Sequence, residues 1–229
     1  MKSSALLVLL LSLSLNVIWG QTATIEEFSI DGDTRQTEQE CFRLTEQEDY
    51  SSGSIWYKRP IDLTQPFALE LRIMLGCKDN DGADGMVFMF ADSPNRTGWR
   101  GEGIGFAGLV PSLGIELDTY QNYHLHDPYE DHVAVMVNGR IGHFSEFSAA
   151  QIIENIEDCQ QHRFSIYWDP STQNLSVEIR NEEVLNVTID LQNDVFGGRQ
   201  VVYFGVSAAT GRKTNVHEVC FDRMSWVPT

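Results

Sequence analysis

The sequence predicts an all-β chain in which short antiparallel strands fold into a sandwich or barrel. Three observations predict it. Phe67, Leu69, Leu71, Ile73 and Leu75 alternate with Ala68, Glu70, Arg72 and Met74, the period of two that marks a strand with one buried face. Met86 to Phe90 and Val133 to Val137 are short apolar runs without alternation, as expected of strands covered on both faces. Helical periodicity is almost absent from the chain.

The elements follow in order. Lys2, the apolar run Ala5 to Leu11 and a small residue at Gly20 read as a secretory signal peptide over residues 1–20. The run is short for a membrane span, which needs roughly 20 residues. Residues 21–229 then form one domain of 229 − 20 = 209 residues. After the strands at Phe67–Leu75, Met86–Phe90 and Val133–Val137 comes the one helix candidate, Ser148 to Ile156, with Ile152, Ile153 and Ile156 as its apolar stripe. Arg163 to Trp168 and Leu175 to Ile179 flank Asp169-Pro170-Ser171-Thr172-Gln173, a hairpin turn. Val201 to Ser207 is a further core strand before a last run ending near Phe221. Trp56, Trp168 and Trp226 suit the core, while Trp99 in a glycine-rich loop is placed for stacking.

The formal net charge of −17 becomes −18 once the segment carrying Lys2 is removed. Such a chain repels nucleic acid phosphates and anionic membrane surfaces, and no later segment is apolar enough to enter a bilayer. Cations and neutral partners such as sugars remain. Four cysteines, Cys41, Cys77, Cys159 and Cys220, suggest two disulfides in an exported chain. Of three connectivities, Cys41–Cys220 with Cys77–Cys159 is favoured, because the first and last strands of a sandwich are often neighbours. Asn95, Asn174 and Asn186 each begin an Asn-x-Ser/Thr glycosylation pattern.

The loops carry the unusual chemistry. Asp79 to Gly85 is acidic and glycine-rich, Gly98 to Gly108 holds five glycines, and Thr119 to Asp131 is crowded with oxygen and imidazole groups. On a strand Glu116 and Asp118 project to one side, Tyr120 and Asn122 continue the series, and Asp127 and His132 return after the turn at Asp127-Pro128. Calcium takes about six to eight oxygens, which Asp118, Asp127, the Asn122 amide and the Tyr120 carbonyl supply. A transition ion such as manganese prefers a nitrogen among carboxylates, which Glu116, Asp118, Asp127 and His132 supply. An EF-hand does not fit, since counting from Asp118 puts Tyr123 where that loop needs glycine.

Glu116-x-Asp118-x-Tyr120-x-Asn122-x4-Asp127-x4-His132 resembles the metal-binding loop of the L-type, or legume lectin-like, family in identity and spacing at all six positions. Ala83-Asp84-Gly85, the glycine-rich stretch before Pro111, the Trp168-Asp169-Pro170 hairpin and Gly205-x-Ser207-Ala208-Ala209-Thr210-Gly211 follow in the order of that family, over roughly residues 25 to 222. The opening Cys41-Phe42-Arg43-Leu44-Thr45 and the cysteine placement are closer to bacterial members. The resemblance implies a concanavalin-like jelly-roll sandwich with metal-binding loops at one face, and a non-catalytic, calcium-dependent lectin that is secreted, or periplasmic in a bacterial host. It implies glycan binding by Asp84, Gly103, Tyr120, Asn122, Thr210 and Gly211, a cis peptide between Ala83 and Asp84, and metal ligation by Glu116, Asp118, Tyr120, Asn122, Asp127 and His132. Back-to-back dimers in the family leave a homodimer open. Glu102 breaks the glycine run expected in the second loop and bears on the pocket there. Arg212 and Lys213 are either specificity residues or ordinary loop charges, and His124 and His126 read as solvated.

Two other readings compete. A glycoside hydrolase on a similar sandwich uses Glu-x-Asp-x-x-Glu on one strand, but here Gln121 takes the last place and an amide is no acid or base. An adhesion or structural module would use the metal for stability alone.

Overall fold

The computed structural model describes residues 25–38, 40–145 and 147–226. The expected signal segment, residues 1–20, lies outside them, and so does the side chain of Trp226. The strands are β1 (Phe28–Gly32), β2 (Arg35–Glu38), β3 (Cys41–Thr45), β4 (Ser52–Tyr57), β5 (Ile61–Asp62), β6 (Phe67–Met74), β7 (Gly85–Ala91), β8 (Ser112–Asp118), β9 (His132–Val137), β10 (Gln151–Ile152), β11 (His162–Asp169), β12 (Asn174–Ile179), β13 (Glu182–Thr188), β14 (Val201–Ala209) and β15 (His217–Trp226).

They form two antiparallel sheets. One runs β1-β4-β14-β7-β8-β9-β10 with β5 beside β14, and the other runs β13-β12-β11-β6-β15-β3-β2. The alternating residues of β6 send Phe67, Leu69, Leu71 and Ile73 inward, where they meet Phe88, Phe90, Phe164 and Phe204 between the sheets. Phe88 and Phe164 stack across that interface with ring centroids 4.2 Å apart. Each such apolar side chain contributes roughly 1.5–3 kcal/mol on leaving water. Ser171 donates its backbone N–H to Asp169 Oδ1 at 2.9 Å, which closes the hairpin between β11 and β12.

Strand β7 is buried on both faces, and the reason is a loop. Met86, Phe88 and Phe90 face the core between the sheets. Val87 and Met89 face outward and pack with Ile104, Phe106 and Leu109 of the 98–110 loop, which lies on the sheet as a cover. Ser207 donates its hydroxyl to Ile104 O at 2.6 Å and fastens it.

The structure pairs Cys41 with Cys220 and Cys77 with Cys159, the favoured connectivity. The first ties β3 to β15, and the second ties the base of the 77–85 loop to the chain before β11. Trp56 and Trp168 are buried, and Trp99 is 77% exposed. The Ser148–Ile156 segment is not helical: Gln151–Ile152 forms an edge strand on β9 instead. Asp131 decides this by accepting the backbone N–H of Ile156 through Oδ2 and that of Ile153 through its carbonyl, both at 2.9 Å. That draws Ile156 into the core and leaves Ile152 exposed. A π-helical turn at Leu191–Val195, capped by Asp190, has no counterpart in the periodicity reading.

Candidate functional site

One register row places the site. Ala209 of β14 pairs with Gly85 of β7, Gly85 with Asp118 of β8, and Asp118 with His132 of β9. Four neighbouring strands thus reach the same edge together, and the loops 79–84, 119–131 and 210–213 leave from it. Leu113, Ile115 and Leu117 face the core, so the period of two turns Glu116 and Asp118 to the outer face.

There the residues of the metal-loop pattern gather. Glu116, Asp118, Asp127 and His132 are all buried. Asp118 Oδ1 accepts the Tyr120 N–H at 2.7 Å and Asp127 Oδ2 accepts the Asn122 N–H at 2.8 Å, which folds the loop back on itself. Asn122 Oδ1 and His132 Nε2 are buried without a hydrogen-bond partner, and Glu116 Oε2 and Asp127 Oδ1 face only the His143 Nε2, at 3.2 and 3.4 Å. Burial pushes the carboxyls of Glu116, Asp118 and Asp127 above their ordinary range, and neighbouring carboxylates add to the effect. Burial, with the charge of His143, carries His132 down to about 4. Several buried acceptors with nothing to accept form a donor set for a cation, because an unpaired buried charge is strongly disfavoured. Oxygens from Asp118, Asp127 and Asn122 suit calcium, and the Glu116–His132 side suits a nitrogen-preferring ion.

Asp84 stands beside this cluster. Its N–H donates to Ala209 O at 2.9 Å, and its carbonyl accepts from Thr119 N at 3.0 Å and Thr119 Oγ1 at 3.2 Å. The Ala83–Asp84 peptide is cis. The carboxylate is 4% exposed and its Oδ2 has no partner. Burial first, and the Glu102 charge second, push it up to about 7. A Cβ on Gly211 would sit 3.7 Å from both Asp84 carboxylate oxygens, so Gly211 packs directly against that carboxylate. Tyr120 is 37% exposed on the rim. A cavity of about 380 Å³ opens on the outer side of Tyr120, between Asn80, Tyr129 and Asp131; Asp84 does not line it.

Other expected residues have different engagements. Gly103 is buried, and its N–H donates to Arg100 O at 3.3 Å within a 3-10 turn. The Thr210 hydroxyl turns inward, donating to Glu48 O at 2.7 Å and accepting from Ser51 N at 2.9 Å. Lys213 pairs with Asp81, and Arg212 donates to the Tyr50 hydroxyl at 3.3 Å. His124 lies 3.2 Å from Glu102, and the His126 ring packs on Phe144. The sequence reading missed His143. Its Nε2 reaches within 3.2 Å of Glu116 Oε2 and 3.4 Å of Asp127 Oδ1. Burial alone would lower its pKa, but the Glu116 hydrogen bond and charge, with Ser148 and Asp127, hold it above the ordinary value.

The legume lectin beta-barrel domain family model matches residues 20–223. The chain belongs to this family of carbohydrate-binding proteins. Among curated relatives, the pesticidal crystal protein Cry22Aa of Bacillus thuringiensis is 25% identical over 77% of this chain and 28% of its own length. A galactose-binding lectin of Arachis hypogaea is 30% identical over 48% of this chain and 40% of its own length. The chain therefore aligns with well under half the length of either relative. Among solved structures, a peanut lectin with a 9mer peptide superposes with a TM-score of 0.74 at 21% identity, covering 92% of this chain and 98% of that one. A Bauhinia forficata lectin in complex with GalNAc gives 0.73 at 18% identity, covering 89% and 93%. Among the described residues, no helix is long and apolar enough to cross a membrane.

Proposed function

We propose that this legume lectin family member is a secreted, non-catalytic, calcium-dependent lectin that binds glycans through loops organised by calcium and a transition ion. The observation that carries the reading is the buried cluster at one edge of the sheet, in which Asp84 Oδ2, Asn122 Oδ1 and His132 Nε2 have no hydrogen-bond partner and Glu116 Oε2 and Asp127 Oδ1 share only His143. Calcium would be held by Asp118, Asp127, the Asn122 amide oxygen and the Tyr120 carbonyl, and the transition ion by Glu116, Asp118, Asp127 and His132. The ions neutralise the carboxylates and so fix the 119–131 loop.

The chain's own groups then bind the sugar. With its oxygen turned to the cation, the Asn122 amide presents its N–H donors to a hydroxyl. Asp84 accepts from two adjacent hydroxyls through charge-assisted bonds, which are stronger than neutral ones. The Tyr120 ring covers the apolar face of the pyranose. Gly211 lies against Asp84, so a sugar that reaches this carboxylate would pass beside it. Gly103 and Thr210 act by holding their loops in place, since the Gly103 N–H is given to Arg100 O and the Thr210 hydroxyl is engaged inward. The charge of Glu102 acts on Asp84, which is consistent with Glu102 bordering the site.

A glycan array tests this, with galactose and GalNAc ligands included because the galactose-binding lectin of Arachis hypogaea and the Bauhinia forficata lectin bound to GalNAc resemble this chain. Binding should appear with calcium and vanish with a chelator and in Asp84→Ala. An Asp84→Ala variant that binds as well as the parent would sink the reading. A chain that calcium stabilises but that binds no glycan would favour an adhesion module.

A further inference from the structure

The buried cluster has one more nitrogen than the family pattern supplies. We propose that His143 is a direct ligand of the transition ion beside His132, and that the resulting two-imidazole site selects zinc, cobalt or nickel over manganese. The proposal rests on the reading that this cluster holds a cation.

Three observations carry it. Glu116, His132 and His143 are buried, and each offers a ligand atom within 4.8 Å of the others. Both rings are held from behind by backbone carbonyls: His143 Nδ1 lies 2.8 Å from Ser148 O, and His132 Nδ1 lies 3.4 Å from Glu130 O. A metal-binding imidazole is commonly fixed in this way, with one N–H given to a carbonyl and the other nitrogen left bare for the ion. The two rings stand at 87° with centroids 5.1 Å apart, so they are edge to face and not stacked. In addition, His132 Nε2 is buried without a hydrogen-bond partner, and His143 Nε2 stands 3.2 Å from Glu116 Oε2 and 3.4 Å from Asp127 Oδ1, so both imidazoles and both carboxylates converge.

His143 is also tied to the metal loop by its backbone, which donates to Leu125 O at 2.9 Å. It arrives from the stretch after β9 and shares no spacing with the six-residue pattern. The chemistry of selection is direct. Carboxylate and water ligands suit manganese, whereas each added imidazole favours zinc, cobalt and nickel.

The rival is internal. A protonated His143 could stand between Glu116 and Asp127 as the chain's own cation and take the place of the ion.

The test uses the full secreted chain, stripped with a chelator and reloaded with saturating calcium. Competition against a chromophoric chelator should show zinc binding at one equivalent and more tightly than manganese. Cobalt should give a visible spectrum that His143→Ser alters. The same variant should weaken zinc by at least the ~10–100-fold that loss of a supporting partner costs, with the calcium-induced rise in Tm kept. Imidazole nitrogen NMR of the parent should show two rings whose Nε2 shifts on zinc loading. This last readout stands even if His143→Ser fails to fold. One shifted ring, or an unchanged zinc-to-manganese ratio in His143→Ser, would overturn the ligand role while leaving the metal site intact. A doubly protonated His143 that keeps zinc out while calcium still raises Tm would establish the internal cation instead. A parent chain that binds neither calcium nor a transition ion would remove the cation reading itself.

Discussion

At the scale of single residues, the site depends on which polar groups are left unmet. The spacing from Glu116 to His132 made the gathering of these side chains legible in the sequence, because a strand turns alternate residues to one face and a tight loop returns the rest. His143 was not legible. It follows β9 in a stretch without periodicity, and only the fold brings it to Glu116. Gly211 offers a clean test of the sugar side. A leucine there would project toward Asp84, at a position whose backbone is not left-handed. Gly211→Leu should cost at least about 1.4 kcal/mol of glycan affinity, a factor of ten, by calorimetry, with the calcium-induced rise in Tm unchanged. An unaffected affinity would place the sugar elsewhere. His217 tests burial in the core. Its Nδ1 lies 2.7 Å from Thr45 Oγ1, its Nε2 has no hydrogen-bond partner, and burial lowers its pKa to about 3. The unfolded chain takes up this proton near the ordinary histidine value, roughly 6.5, and the folded chain does so only near 3. Above the higher value His217 costs nothing. Below it, stability falls by about 1.4 kcal/mol per pH unit until the lower value is reached. Denaturant titrations of the parent and His217→Gln should therefore converge in slope above neutrality, and the parent should lose more stability in acid. Parallel curves would show that His217 protonates in the folded state without penalty.

At the scale of elements, β6 and β7 were legible and the cover over β7 was not. The run Met86–Phe90 announced a strand buried on both faces, but it did not say that the 98–110 loop supplies the second covering. That loop is glycine-rich and carries no strand pattern in the sequence. It is held by Ile104, Phe106 and Leu109, which look unremarkable in sequence. Phe106 is fully buried and a Cβ on Gly114 would sit 2.9 Å from its ring, so strand and loop are fitted to each other. Phe106→Ala should cost about 3–5 kcal/mol in denaturant unfolding and should also weaken glycan binding, because Glu102 and Trp99 ride on the same loop. A stability within experimental error of the parent would show that the loop is not held by this ring. The Ser148–Ile156 misreading has the same origin. Three isoleucines suggested a helical stripe, but the carboxylate and carbonyl of Asp131 fix the segment as an extended edge.

At the scale of the whole molecule, one sheet brings the ends of β14, β7, β8 and β9 to one edge, and the family match covers all four strands. The acidic balance of the chain concentrates there in buried carboxyls whose pKa values are raised by burial. Cation uptake must displace protons from them, so calcium affinity should fall as the pH is lowered, with proton release visible in calorimetry run in buffers of different ionisation enthalpy. No proton release would mean that the acids are already ionised in the calcium-free chain. If calcium and glycan share one site edge through Asn122 and Asp84, their binding is linked. Glycan affinity measured with and without calcium, and calcium affinity with and without glycan, should show each ligand strengthening the other by the same factor. Glycan binding that is indifferent to calcium would contradict it.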